Sequence, residues 1–332
     1  MKTSVTQKIS VVVPTYQGER FLLDTLDSIS KQTVRPTQVI VTDDGSTDGT
    51  AEVIETFKQN AQFEIEFLRH DNFGPTANYL HGIRRVSGDI VVMSDQDDVW
   101  LPTRLERICE FFDQYPDAVL CSHDSFITDE NLNLSGQTIR SNTYGEKQIT
   151  QFNNSSEVDN FRWFLRGGLP FLAHTLAFRK KLIPALINKP ENIENWWFEE
   201  WLTAVAAVTG KLGMISEPLI YYRQHEHQTS GGINSNPKQN DPHKFTDGSQ
   251  KTVYKHRIER MEYLLTIVDH PGKKNELAQY IQFLKGRHNI VVGNSVFKSI
   301  TFTIKNLFRG TYSRYAKGVK SFVLDNIRIL KT

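Results

Sequence analysis

Two runs of carboxylates, each set directly behind an apolar stretch, constrain this chain of 332 residues more than any other feature. Val41–Thr50 reads VTDDGSTDGT and closes the run Gln38–Thr42, while Ser94–Trp100 reads SDQDDVW and closes Asp89–Ser94. Short β-branched runs that stop at Asp and Gly read as buried parallel strands. Acids at the carboxyl end of such strands sit where open α/β sheets bind ligands. The alternatives are a solvated acidic turn, with Asp48 as a helix N-cap in the first case, and a solvated loop in the second. The second is harder to read as solvated, because Val-Trp-Leu-Pro pins it afterwards. Three carboxylates in four residues repel one another unless a hard cation neutralises them, and Mg²⁺ and Mn²⁺ take oxygen ligands together with substrate phosphates.

The neighbouring sequence fits this frame. Ile9–Val13 predicts a first strand, Glu64–Leu68 a third and Ala118–Ser122 a fifth. Helices are expected over Glu19–Lys31, from Thr47 or Asp48 to Phe57, over Pro75–Val86 and over Pro102–Tyr115. Strands and helices alternating at this spacing predict a mostly parallel sheet covered on both faces. From Thr128 to Glu157 the chain is rich in Asn, Ser, Thr and Gly and predicts a long loop. Beyond it, helix is expected at Phe161–Leu165 and Glu199–Thr209, strand at Thr175–Phe178 and Leu219–Tyr222, and helix throughout 252–332. No G-x-G-x-x-G follows the first strand and no G-x-x-x-x-G-K-[ST] occurs, which argues against dinucleotide and P-loop chemistry.

Charge divides the chain. Residues 251–332 carry 16 Lys+Arg against 5 Asp+Glu, and residues 1–250 carry 23 against 33. A basic tail on an acidic body points to an anionic surface. The acidic body argues against nucleic acid as the partner, although a nucleic-acid-binding protein stands as a rival reading. Two cysteines in this length exclude a disulfide scaffold and suggest a reducing compartment. The start lacks the apolar stretch of a signal peptide, and no run is long and apolar enough to span a bilayer. On a helical wheel Val296, Phe297, Ile300, Ile304, Leu307 and Phe308 share one arc of Val296–Arg309, with Lys298, Lys305 and Arg309 on the far side and Phe302 out of pattern. That predicts a helix lying in a membrane interface, or else one packed on a partner or on its own domain.

The blocks VVVPTYQGERFLLDTLDSISKQT, VIVTDDGSTDGT, NFGPTANYLHGI and GDIVVMSDQDDVWLP, followed by EEWLTAVAAVTGKLGMISEPLIYYRQH, resemble the glycosyltransferase family 2 enzymes of the GT-A fold. SDQDDVW with a later YRQH looks most like the bacterial rhamnosyltransferases that build O-antigen and other polysaccharides. The resemblance implies a catalytic domain over 1–230, with a nucleotide-sugar half (1–125) and an acceptor half (126–230). A linker or mobile loop at 231–250 and a basic helical region at 251–332 follow. It implies an inverting, metal-dependent hexosyltransferase using a nucleotide-diphosphate sugar, dTDP-rhamnose first, with a UDP-linked galactose, glucose or N-acetylhexosamine as the alternative. The acceptor would be a glycan or lipid-linked oligosaccharide at the inner face of the plasma membrane. An inactive sugar-binding protein is the non-enzyme alternative.

Roles carry over residue by residue. Pro14, Thr15 and Glu19 would flank the nucleotide base, and Asp43 or Asp44 would contact it. Gln17 stands where the family usually has Asn. Asp95 would face ribose and diphosphate, Asp97 would hold Mg²⁺ or Mn²⁺, and Asp98 would orient its neighbours. Arg223 could bind the diphosphate and His225 could complete the metal shell. Glu199, with Glu200 adjacent, falls where the family places the Asp that serves as general base. A helix N-terminus would keep that carboxylate ionised. Trp196, Trp197 and Trp201 could stack on sugar or fill core. His174 and Gly167-Gly168 could line the acceptor site. A homodimer is possible.

Overall fold

The computed structural model of the chain describes residues 7–71, 73–141, 143–167, 169, 171–188, 196–226, 228, 250–293 and 295–329. The chain begins with β1 (Ile9–Thr15), α1 (Leu22–Ser30), β2 (Gln38–Asp43), α2 (Thr50–Lys58), β3 (Glu64–Arg69), α3 (Pro75–Ile83), β4 (Ile90–Met93), β5 (Val99–Trp100) and α4 (Arg104–Gln114). The chain continues through β6 (Ala118–Thr128), β7 (Leu134–Thr138), α5 (Glu146–Asn153), α6 (Glu157–Arg166), β8 (Leu176–Arg179), α7 (Ile183–Ile187), α8 (Phe198–Thr209) and β9 (Lys211–Arg223). Five helices close the described chain: α9 (Gln250–Ile267), α10 (Pro271–Val292), α11 (Val296–Phe308), α12 (Thr311–Tyr315) and α13 (Val319–Ile329).

One sheet of nine strands runs in the order β3-β2-β1-β4-β8-β6-β9-β5, with β7 beside β6. β1 to β4 are parallel to one another, and β6 and β9 run the same way, while β8, β5 and β7 oppose them. Both faces are covered, as the continuous apolar runs require. Val11 and Val13 join one buried cluster with α1 and α4, and Val12 joins the other with α3 and α8. Because β1, β2 and β4 are parallel and adjacent, the segments after them leave at one edge. The topology therefore brings Pro14, Asp44 and Asp95–Asp98 together.

The predicted loop over 128–157 differs from expectation. It contains β7, which extends β6 as a hairpin, and α5, whose Ile149 and Phe152 enter the core. Three other elements are longer or shorter than the sequence predicts. β6 reaches Thr128, β9 starts at Lys211, and α3 stops at Ile83. The expected linker lies outside the described residues except for Gln250.

The C-terminal helices share a core with the α/β part of the chain. Ile258, Met261, Leu264, Leu277 and Tyr280 sit in one cluster with Phe161, Trp201 and Val205. A buried cation ties the two parts together. Lys273, fully buried in the first turn of α10, donates to the carbonyls of Ala207 at 2.8 Å and Gly210 at 2.7 Å, and pairs with Glu157 at 2.7 Å. A cation at the carbonyl end of α8 satisfies groups the helix leaves unpaired and matches its dipole. We expect Lys273→Met to lower unfolding free energy by about 2 kcal/mol or more, because two carbonyls lose a charged donor. Chemical denaturation of both proteins measures this.

Candidate active site

A cleft of about 430 Å³ opens at the carboxyl edge of the sheet. Pro14, Thr15, Asp44, Asp95, Asp97 and Glu199 line it together with Tyr79, His174 and Trp197. Six of the residues expected from the sequence to act thus meet in one place.

The acid loop between β4 and β5 is held from every side. β5 pairs antiparallel with β9, Val99 against Tyr221, which carries Arg223 and His225 to the loop. Asp98 Oδ1 accepts the Arg223 N–H at 3.1 Å, and His225 Nε2 meets Asp97 Oδ2 at 2.9 Å. Tyr79 donates its hydroxyl to Asp95 Oδ1, and His174 Nδ1 lies 3.3 Å from Asp95 Oδ2. Gln96 clamps Tyr16 reciprocally, its Oε1 accepting the Tyr16 N–H and its Nε2 donating to the Tyr16 carbonyl, both at 2.9 Å. The Thr25 hydroxyl reaches the carbonyls of Gln96 and Asp98. Beneath the loop, buried Arg104 lies 3.8 Å from the Trp100 ring and donates to the carbonyls of Met93 and His174.

These surroundings separate the carboxylates. Burial pushes the Asp95 carboxyl up, but the hydrogen bond and charge of His174 and the Tyr79 hydroxyl outweigh it, and Asp95 is held below the usual range. Asp98 has no exposure, and burial reinforced by the charges of Asp97 and Asp95 pushes it up to about 8. His174 is raised: burial opposes its charge, and Asp98 and Asp95 more than compensate. Glu199, second residue of α8, is pushed up to about 7 by burial, with Asp95 and Glu200 adding to the shift. The expected ionised carboxylate is therefore about half protonated near neutral pH, because burial outweighs the helix N-terminus.

The other expected residues occupy supporting positions. Asp43 is fully buried, accepting from Thr15 and from the backbone and hydroxyl of Ser46, with Arg69 at 3.6 Å. Asp44 accepts the N–H groups of Phe73 at 2.7 Å and Gly74 at 2.9 Å and lines the cleft. Glu19 accepts the Gly49 N–H at 2.9 Å, away from the cleft lining. Gln17 adopts φ 51°, and its Oε1 accepts the N–H groups of Thr47 and Asp48. An amide does this work, which accounts for Gln where Asn is usual. Arg223 pairs with Asp24 at 2.8 Å and lies 4.3 Å from the Phe21 ring, so its guanidinium is engaged outside the cleft lining.

Glu199 and Glu200 part company. Glu200 meets Arg260 at 3.2 Å in a second cavity of about 380 Å³ between α6, α8, α9 and α10, and Glu199 lines both cavities. Trp196 and Trp201 are core, ring centroids 5.1 Å apart, while Trp197 faces the cleft. Gly167 lines the second cavity, and Gly168 lies outside the described residues. Tyr79 and Arg104 were not singled out from sequence. One is a helix-face aromatic and the other follows an ordinary helix start, and neither pattern signals proximity to the acid loop.

Two places offer donors to a hard cation. Asp97 and His225 face each other on the loop, with Asp95 on the same cleft wall. Asp95, Asp98 and His174 place one ligand atom each within 4.8 Å of one another. Asp97 of the first set lines the cleft, whereas Asp98 of the second is fully buried.

Residues 10–170 match the family model described as glycosyl transferase family 2. The chain is 29% identical over 220 residues to an uncharacterized glycosyltransferase of Nostoc sp., covering 66% of this chain and 65% of that protein. The chain thus spans just under two thirds of that relative. The structure of S. aureus TarS 1-349 in complex with UDP-GlcNAc aligns with a TM-score of 0.57 at 18% identity, over 85% of this chain and 72% of that one. A mannosyltransferase from Pyrobaculum calidifontis in complex with GDP-Man and Mn²⁺ aligns with a TM-score of 0.50 at 14% identity, over 98% of this chain and 86% of that one. The fold is GT-A-like, and residues 10–170 are similar to glycosyltransferase family 2.

Raised acids carry a linkage. Asp98 holds its proton up to about 8 in the folded chain and loses it near 4 when unfolded, so its contribution to stability is lost as pH rises through that window. Asp98→Asn removes this loss and keeps an oxygen for the Arg223 N–H. We expect the variant to melt higher than wild type at pH 8–9 in chelator, with the gap closing toward pH 4. Melting temperature against pH checks it.

Proposed function

We propose that this chain, similar to glycosyltransferase family 2 over residues 10–170, transfers a sugar from a nucleoside-diphosphate donor to an acceptor hydroxyl with inversion at the anomeric carbon. The observation that supports this most is the meeting of Asp44, Asp95, Asp97 and Glu199 around one cleft, from three separate stretches of chain. Pro14, Thr15 and Asp44 would hold the nucleoside. Asp95 would face ribose and diphosphate, held ionised by His174 and Tyr79. Asp97 and His225 would hold Mg²⁺ or Mn²⁺, which when bound offsets the charge that develops on the departing diphosphate.

Glu199 would take the proton of the attacking hydroxyl. A base is most effective when its pKa lies near the working pH, and about 7 meets that condition. Glu200 would act indirectly, its charge raising Glu199 while Arg260 holds it in place. Asp43, Glu19 and Arg223 would act as positioning residues for the loops that carry Thr15, Gly49 and Asp98. The acceptor would approach through the second cavity, since Glu199 borders it and the aromatic walls Phe164, Phe171, Trp196 and Tyr280 suit sugar faces.

The blocks SDQDDVW and YRQH support dTDP-rhamnose as donor and a lipid-linked oligosaccharide as acceptor. A second reading, UDP-N-acetylglucosamine, is supported by the likeness in fold to TarS with that ligand. A thermal-shift screen of nucleotide sugars with Mn²⁺ separates them, because ligand bound to the folded state alone raises the melting temperature.

Asp97→Ala should abolish the stabilisation by Mn²⁺ plus donor, while Asp98→Asn keeps it. The reverse pattern would put the cation in the inner cluster. Glu199→Gln should leave donor affinity intact and cut turnover by roughly 10²–10⁴-fold. Wild-type kcat/KM should rise with pH through about 7 as Glu199 ionises, and pH–rate profiles of both proteins should show this limb only in wild type.

A further inference from the structure

The last two long helices are packed with their polarity reversed. Helices of globular proteins bury an apolar stripe and expose a polar one. α11 buries Ser299 and Thr303, and α13 buries Ser321 and Asp325 together with Ile329. The Thr303 hydroxyl donates to Asn326 Oδ1 at 3.2 Å across the pair. Asp325 receives two bonds from Arg287 at 2.7 and 2.9 Å, one from the Tyr312 hydroxyl at 2.9 Å and one from Arg328 at 3.1 Å. Phe302, which breaks the wheel pattern of α11, turns inward against Phe283 and Gly286.

Large apolar side chains point the other way. α11 exposes Val296, Phe297, Ile300, Ile304 and Phe308, with Phe297 80% and Phe308 86% accessible. α13 exposes Val319, Val323, Leu324 and Ile327. These nine are the majority of the fourteen large apolar residues exposed among the described residues, so the concentration is local to this pair. Patches of this kind mark contact with a protein or a membrane.

Charge decides between them. Residues 296–329 hold seven cations, Lys298, Lys305, Arg309, Arg314, Lys317, Lys320 and Arg328, and one acid, Asp325, which is buried and paired. Lys298, Lys305, Arg309, Lys317 and Lys320 are all exposed. A second copy of the chain would set this basic surface against its equal. An anionic bilayer supplies hydrocarbon for the Phe and Ile side chains and phosphate for the lysines. Among the described residues no helix is long and apolar enough to cross it.

We propose that α11 and α13 form a two-helix platform that lies in the interface of an anionic phospholipid bilayer, apolar faces down and lysines among the headgroups. The platform is fixed to α10 through the Asp325–Arg287 pair, and α10 caps α8 through Lys273, so the chain carries the cleft on a rigid mount.

The test is co-sedimentation of the full chain with vesicles of phosphatidylcholine alone or of equal parts phosphatidylcholine and phosphatidylglycerol. Wild type should pellet with the anionic vesicles, less so at high salt. The double variant Phe297→Glu/Phe308→Glu should lose at least roughly tenfold in affinity, since two large apolar side chains leave the interface. Lys305→Glu/Lys320→Glu should lose about as much on anionic vesicles alone. Both pairs are exposed, so melting temperatures should match wild type. Failure of wild type to pellet, or equal pelleting with neutral vesicles, would overturn the proposal. So would a wild-type dimer that the Phe297/Phe308 variant splits, which would make a second copy the occupant. The vesicle readout needs no glycosyl transfer, so it stands or falls apart from the assignment of the cleft.

Discussion

Three carboxylates within four residues cannot share one loop in a folded chain unless each is given different surroundings, and the architecture around Asp95–Asp98 supplies them. Asp95 is ionised by His174 and Tyr79, Asp97 faces His225, and Asp98 keeps its proton and accepts a backbone N–H. Each partner comes from a different part of the chain: α3, the segment before β8, and the end of β9. The two-residue strand β5 makes this possible, because its pairing with β9 ties the loop to the far half of the sheet. Loss of that pairing would part Asp97 from His225 and Asp98 from the Arg223 N–H.

The same burial that sorts the aspartates also tunes Glu199. It lies at the start of α8, close enough to Asp95 and Glu200 for their charges to hinder its ionisation. α8 is nearly all apolar beyond its first turn and lies in the core, so the backbone that carries the glutamate is held by packing. Lys273 fixes the opposite end. The C-terminal helices are therefore part of what holds Glu199 in place.

Much of this was legible in the sequence, for stated reasons. Parallel strands buried on both faces need continuous apolar runs, so Ile9–Val13, Gln38–Thr42 and Asp89–Ser94 were readable, and the acids after them could be placed at one edge. The candidate base was placed by the family resemblance, counting back from Ala206, Ala207 and Gly210 to Glu199 with Glu200 adjacent. β7 and α5 were not, because Leu134–Thr138 is polar and α5 commits only Ile149, Phe152 and Asn153 to the interior. The placement of Arg223 and Glu19 outside the cleft lining was not legible, because their partners, Asp24 and Gly49, lie near them only after folding. The apolar arc of α11 was visible, but that α13 doubles it, and that both helices bury their polar sides, required the tertiary structure.

The central claim is that the cleft activates a hydroxyl at Glu199 against a nucleotide sugar bound by the acid loops. Water can stand in for the acceptor, so slow hydrolysis of the donor offers the most direct test. Proton NMR of the first-formed sugar, with Mn²⁺ exchanged for Mg²⁺ to keep lines sharp, reads its anomeric configuration before mutarotation. The account predicts a free sugar of configuration opposite to the donor, and none from Glu199→Gln although that variant still binds donor. Retained configuration, or hydrolysis undiminished in Glu199→Gln, would contradict it.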